Sequence, residues 1–238
     1  RSIDKHSFWL NKTYPNQVFD GVMVGDSRLY RGFSPTRIEA KLPDVSLHNF
    51  GYSSARLTPD LLDAALGHLD PKSNTPFIVL AVTAHSLTAP TQGADNPHYD
   101  GLAQRNRATV WLSQRSEWIH RKAWPAWIDD PTDRLLMARQ GADSVQYRET
   151  FDTRGFVASS TLPRDPKRAL ASYRELLTES PVQSQRLKAL ATWVQQKVAT
   201  GVRVVAFVPP RTPAMQKLER ETGGWSKHDI KDQLEAAG

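Results

Sequence analysis

A serine sits in this chain where a nucleophile would be useful. In Val22-Met23-Val24-Gly25-Asp26-Ser27-Arg28 a short apolar run ends at a glycine, and Ser27 follows two positions later. Such a run is the pattern of a buried strand, so Ser27 stands at a strand's carboxyl end. In an open parallel sheet that edge is where loops converge and ligands bind. The chemistry a serine offers there is acyl transfer. Its hydroxyl attacks an ester carbonyl once a base takes the proton, and preorganised donors stabilise the oxyanion that forms. Ser27 is the candidate catalytic residue. Gly, Asp and Ser are also ordinary turn residues, and a plain turn reads the triplet equally well. Asp26 is read as a turn-stabilising acceptor. Arg28 is the candidate substrate-binding residue, for an anionic group, and an ion pair with a carboxylate is the other reading of it.

The elements that must position Ser27 follow an α/β rhythm. Phe19 to Val24 reads as a first strand, Val45 to Phe50 as a second ended by Gly51, Phe77 to Val82 as a third, and Val202 to Val208 as a fourth that runs into Pro209-Pro210-Arg211. A continuous apolar run such as Phe77 to Val82 belongs to a parallel strand covered on both faces. Ser34-Pro35 and Thr58-Pro59 each pair a capping residue with a proline at the first helical position. They predict a short helix to about Lys41 and a second carrying Leu61, Leu62, Ala65, Leu66 and Leu69 on one stripe. Asp165-Pro166 opens a helix through about Glu179, and Val182 to Thr200 carries Leu187, Leu190, Ala191, Val194 and Val198 on one face before the stop at Gly201. Ser226 and Asp229 have capping-box spacing and predict a last helix to Gly238.

From about residue 87 to 163 the rhythm lapses. Trp111, Trp118, Trp124 and Trp127 fall in this stretch, as a platform near a site or as the small core of an insertion, with a helix over Ala103 to Lys122. Residues 1–17 show no clear period. The fold class is therefore α/β: a doubly wound, flavodoxin-like parallel sheet in three α/β/α layers, one domain over 1–238, with a helical insertion after the third strand.

Composition narrows the function classes. The net charge of +6 comes from 31 basic and 25 acidic residues with no block of like charge, so no focused nucleic-acid-binding patch is legible. There is no cysteine, which removes a disulfide framework and thiolate chemistry. No apolar run approaches the roughly 20 residues that span a bilayer. The sequence begins at Arg1 rather than Met, and the expectation is a signal or anchor upstream of Arg1, with an extracytoplasmic setting in the periplasm or cell envelope. Histidines and carboxylates show no metal-ligand spacing, and neither Gly-x-Gly-x-x-Gly nor a P-loop is present, so no metal or nucleotide cofactor is expected.

Taken together, Gly25-Asp26-Ser27 after the first strand, Asn49-Phe50-Gly51 after the second and a third strand ending near His85 resemble the SGNH (GDSL-type) hydrolase superfamily. Gly-Asp-Ser-Arg running on to Gly32 and Ser34-Pro35, with the late Phe-Val-Pro-Pro-Arg-Thr-Pro segment, is similar to bacterial membrane-anchored SGNH-like proteins, many associated with cell-surface polysaccharide or lipid modification. The resemblance covers Val18 to about Val82 well and Pro166 to Trp225 loosely. It implies Ser27 as nucleophile and the N–H of Gly51 as an oxyanion-hole donor, where the absence of a Cβ also leaves room for substrate. The N–H of Ser27 itself is a further donor. The family's third-block asparagine is missing from Val82-Thr83-Ala84-His85-Ser86, and His85 stands in as oxyanion donor.

The family's late Asp-x-x-His block has no counterpart either. The sequence is therefore expected to stop one strand short, with that pair beyond Gly238. Asp95-Asn96-Pro97-His98 has the spacing but comes in the wrong order, and His228-Asp229 lies in the last helix. His6, His48, His68 and His120 have no partner signal and are read as surface or packing residues. The resemblance implies a serine esterase or O-acyltransferase acting on an acylated glycan, a small-molecule ester or another envelope ester. A catalytically inactive glycan- or partner-binding domain and a phosphate-binding module remain as alternatives.

Overall fold

The computed structural model describes residues 3–91, 93–104, 146–162, 166–225 and 227–236. Its centre is a parallel four-stranded sheet of β1 (Gly21–Gly25), β2 (Leu47–Gly51), β3 (Phe77–Ala81) and a later strand, Arg203–Phe207, in the spatial order second, first, third, last. All four coincide with predicted strands to within a few residues. Helices flank both faces, which makes the chain an α/β protein compatible with three α/β/α layers.

Side-chain alternation explains the layers. Val22, Val24, Phe50, Ile78 and Leu80 point to one face, while Met23, Val79, Ala81 and Phe207 point to the other. The first face carries α4 (Pro59–Leu66), whose Leu61, Leu62 and Ala65 are fully buried. Burying each such leucine is worth roughly 2 kcal/mol. Thr58 caps this helix by accepting from the Leu61 N–H at 3.4 Å, and Pro59 begins it, as the sequence predicts. On the second face lie α2 (Ser27–Gly32) and α3 (Pro35–Glu39), which contribute Leu29, Phe33 and Ile38 to a smaller core.

Several elements arise where the sequence showed no period. Residues Lys5–Thr13 form α1, capped by Asp4 accepting from the Ser7 N–H. Its Lys12 is buried, with the ammonium 4.9–5.7 Å from the ring centres of Phe8, Trp9, Tyr30 and Tyr52. Burial holds that amine well below its usual pKa, against the pull of Asp152. After α5 (Pro97–Ala103), the stretch read as a helical insertion ends in an antiparallel hairpin of β4 (Gln146–Phe151) and β5 (Val157–Leu162). The predicted helix over Ala103 to Lys122 and the four tryptophans Trp111 to Trp127 lie largely or wholly outside the described residues. Finally α6 (Pro166–Glu179) and α7 (Ser184–Ala199) match prediction and lead to β6 (Arg203–Phe207). An unforeseen α8 (Pro213–Gly223) then precedes α9 (Lys227–Glu235).

The hairpin turn closes one edge of the sheet. Gly155, at φ 87°, sits where a Cβ would lie 2.2 Å from the Asn49 carbonyl oxygen, so only glycine fits. Its own carbonyl accepts from Lys12 Nζ at 2.6 Å. Along the outer side of β2 the N–H groups of Leu47, Asn49 and Gly51 donate to Glu39 Oε1, the Arg154 carbonyl and Asn49 Oδ1 at 2.7, 2.8 and 3.1 Å. Every second donor is thereby satisfied, and β2 is buried throughout. At the opposite edge β6 has no buried position.

Candidate functional site

Strand order puts the reversal of winding between β1 and β3, the place where an open α/β sheet builds a crevice at its carboxyl edge. The two strand ends approach closely there. A Cβ on Gly25 would lie 2.9 Å from the Ala81 Cβ, so glycine lets the loops that follow start side by side.

Asp26 ties these loops together. Its Oδ1 accepts from the Arg28 N–H at 2.9 Å, which caps α2 and makes Ser27 the first helical residue. Its Oδ2 accepts from the Thr83 hydroxyl at 2.7 Å, across from the β3 loop. Thr83 and Ser86 lock that loop in turn. The Ser86 N–H donates to Thr83 Oγ1 at 3.1 Å, the Thr83 N–H to Ser86 Oγ at 3.0 Å, and the Ser86 hydroxyl to the Thr83 carbonyl at 2.8 Å. Between them His85 opens a single 3₁₀ turn, His85–Leu87, and is 4% exposed. The loop after β2 contributes Ser54, the one non-glycine residue with positive φ among those described, at 54°.

These loops and α6 enclose a cavity of about 190 Å³ lined by Ser27, Ser54, His85, Ser172, Tyr173 and Leu176. Among the described residues its walls are hydroxyls, one imidazole, one phenol and one aliphatic side chain, and none is a carboxylate. Neither ring nitrogen of His85 has a hydrogen-bond partner. Burial lowers the pKa of this imidazole; the nearby Ser54 carbonyl and Asp26 oppose the shift, and Arg56 and Arg28 add to it. The ring is therefore held neutral, with one donor and one acceptor nitrogen unused. Tyr173 is shifted up, first by burial and then by Asp26, so its phenol keeps its proton.

Behind the cavity lies an ion cluster. Glu219, fully buried on α8, accepts from Arg28 Nη1 at 2.8 Å and from Arg211 Nη1. The Arg28 guanidinium stacks over the Tyr173 ring, 4.8 Å from its centre, while its Nη2 is buried without a partner. Arg28 thus joins the start of α2 to α6 and α8, and it does not line the cavity.

The predicted site residues are brought together unevenly. Ser27 and His85 share the cavity. Gly51 does not line it, and its N–H points at Asn49 Oδ1 as part of the sealed sheet edge. Asn49 also donates to the carbonyls of Leu29 and Phe33 at 3.2 and 2.9 Å, pinning the end of α2. Asp95 pairs with Arg186 at 2.7 Å, Asn96 accepts from the Arg56 N–H at 2.8 Å, and His98 packs 4.2 Å from Trp9, so this segment stays apart from Ser27. His228 borders a different cavity. His48 and His68 pack with Phe19 and Phe50 in the core, and burial lowers them to about 3 and about 4. Ser226 and the side chain of Asp229 lie outside the described residues, as do the side chains of His6 and His120.

Sequence reading missed Ser54, Tyr173, Leu176 and Glu219. The Thr-x-x-Ser spacing of Thr83 and Ser86 was a legible sign that the His85 loop is locally fixed. No group of side chains able to hold a metal ion occurs among the described residues. No protein-family model, curated protein or solved structure matches the chain.

Proposed function

We propose that this protein is an SGNH-type serine esterase or O-acyltransferase that forms an acyl-enzyme on Ser27. One observation carries the reading: Ser27 and a buried, hydrogen-bond-free imidazole border the same cavity at the carboxyl edge of a parallel sheet, where the winding reverses. Ser27 Oγ attacks the ester carbonyl, the alcohol leaves, and water or a sugar hydroxyl takes up the acyl group. The substrate class is an acylated glycan or another ester of the cell envelope, on the strength of the Gly-Asp-Ser-Arg and Phe-Val-Pro-Pro-Arg-Thr-Pro segments. The walls suit a neutral ester, since among the described residues no charged side chain lines the cavity.

A second reading is a non-catalytic domain that holds a glycan or protein partner in this crevice. It is favoured by the Gly51 N–H, which is spent on Asn49 and leaves the expected pair of backbone donors incomplete.

Incubation with p-nitrophenyl acetate separates the two. The serine-enzyme reading expects release of p-nitrophenol and, on rapid acid quench, a mass increase of one acetyl group on the peptide containing Ser27. Release that persists unchanged in Ser27→Ala, or no acetylated peptide from a folded chain, would favour the binding domain.

A further inference from the structure

We infer that Tyr173 is the specificity-determining residue of the Ser27 cavity, selecting esters whose alcohol half carries further hydroxyl groups, and that Arg28, anchored on Glu219, positions it. This assignment rests on the serine-enzyme reading and adds to it the part of the substrate that does not react.

The cavity is graded from inside to outside. His85 is buried, Ser27, Tyr173 and Leu176 are half-buried, and Ser54 and Ser172 are exposed. An ester whose carbonyl meets Ser27 Oγ therefore extends outward past Tyr173 towards two serines. Ser27, Ser54, Ser172 and Tyr173 line the space with hydroxyls, and among the described residues no charged side chain does. A hydroxyl is donor and acceptor at once, so such a wall pairs with the hydroxyls of a polyhydric alcohol better than with an alkyl chain or a charged group. The apolar acyl arm of an ester matches Leu176, and its alcohol arm, where hydroxyls are carried, matches the serines and Tyr173.

Tyr173 differs from the two serines in being fixed from behind. The Arg28 guanidinium lies over its ring, 4.8 Å from the centre. Arg28 Nη1 donates in turn to Glu219 Oε1 at 2.8 Å, and Glu219 is fully buried on α8, where Arg211 also donates to it. Four residues on, Leu177 is fully buried against Gly223 of α8, where a Cβ would lie 3.1 Å from Leu177 Cδ2. Positions 173, 176 and 177 fall on one side of a helix, so the seating of Leu177 on α8 sets the rotation at which Tyr173 and Leu176 meet the crevice. Just past the helix the Ser180 hydroxyl donates to the Ala89 carbonyl at 2.8 Å.

A phenol held in this way loses little freedom when it binds, which is what a selective contact requires. Burial first, and then Asp26, keep the proton on Tyr173, so it meets a substrate oxygen as a donor. The charge of Arg28 is met by Glu219, and what Arg28 offers Tyr173 is the flat face of its guanidinium.

The test compares glycerol 1-acetate with propyl acetate, which share an acyl group and a three-carbon skeleton and differ by two hydroxyls. The quantity read is the ratio of their kcat/KM values, each divided by its rate of hydroxide hydrolysis. This ratio does not depend on the fraction of chain that is folded. Wild type should favour the glycerol ester by about tenfold, since a site that hydrogen-bonds a substrate hydroxyl discriminates against the analogue lacking it. Tyr173→Phe should bring the ratio to within about threefold of one. Arg28→Lys keeps the charge but not the flat stack and should lower the ratio too, with the double variant no lower than Tyr173→Phe alone. A purely structural Arg28 would slow both esters equally. A wild-type ratio near one, or a ratio that survives Tyr173→Phe, would overturn the role of Tyr173; a ratio untouched by Arg28→Lys would overturn that of Arg28. If a fluorophosphonate labels Ser27 but neither ester is hydrolysed, the selectivity is overturned and the serine enzyme stands. A folded wild type that never labels removes both.

Discussion

Two cavities of this molecule differ in a way that separates architecture from chemistry. The larger, about 580 Å³, lies beside β6 under α7 and α9 and is walled by Val82, Val194, Val198, Val204, Ile230 and Leu234 among others. The smaller, about 190 Å³, lies at the carboxyl edge and is walled by Ser27, Ser54, His85, Ser172, Tyr173 and Leu176. The roomier one follows from an edge strand whose apolar side chains are incompletely covered; Val205 on the other face of β6 is 53% exposed. Among the described residues its titratable side chains, His228, Lys231 and Glu235, are all exposed. The tighter one holds a serine and a buried imidazole, on loops fixed by the hydrogen bonds of Asp26, Thr83 and Ser86. Volume therefore ranks the two cavities one way and chemical content the other, and the proposed catalysis rests on the second ranking.

The largest effect expected from this contrast is at Ser27. Ser27→Ala should lower ester turnover by at least about 10³-fold with melting temperature preserved, since the nucleophile is lost and little packing is removed. Val198→Lys, on the rim of the larger cavity, should leave turnover unchanged. Equal losses in the two variants would erase the distinction.

Next comes the ion cluster behind the site. Glu219→Gln keeps the side-chain shape but removes the carboxylate that Arg28 and Arg211 share, in a place where breaking a buried pair costs about 3–5 kcal/mol. Urea unfolding should show that loss. Because Arg28 links α2 to α6 and α8, turnover should fall as well. A stability change below about 1 kcal/mol would mean that the cluster is exposed to water in solution.

Acid should act on a smaller scale. His48 is held neutral with a folded pKa of about 3, against roughly 6.5 in the unfolded chain, so the unfolded state binds the extra proton. Its contribution to stability is complete above about pH 6.5 and drains away as pH falls towards 3. By pH 5 it should cost about 2 kcal/mol, and His68, with a folded value of about 4, moves in the same direction. Chemical denaturation at pH 7 and pH 5 reads the loss directly, and His48→Gln should flatten the slope. The smallest effect is the stability of Val198→Lys, expected within about 0.5 kcal/mol of wild type because the position is already 37% exposed.

What could be read from the chain divides along physical lines. The four parallel strands were legible because each is a short apolar run bounded by breakers, and α4 because a capping threonine, a proline and a leucine stripe agree. Helix α1 was not, since its buried face includes Ser7, Lys12 and Thr13, and a buried lysine contradicts any amphipathic pattern. The β4–β5 hairpin escaped because Gln146 to Phe151 and Val157 to Leu162 alternate only weakly and were masked by the tryptophan-rich stretch before them.

Of the residues that local signals singled out, Ser27 and His85 line the smaller cavity and Asp26 ties its loops together. Tertiary packing alone brings in Tyr173 and Leu176, which lie on α6 more than 140 positions beyond Ser27. Gly51 illustrates the reverse case. Its sequence context suggested a donor for substrate, yet the alternating N–H groups of a sheet edge demand acceptors, and Asn49 supplies one.

The most direct test of the central claim is labelling with a fluorophosphonate probe near neutral pH, followed by peptide mapping. A single modified residue is expected, Ser27, lost in Ser27→Ala and blocked by prior incubation with an ester substrate. A folded chain that stays unlabelled, or that labels at another serine, would contradict it.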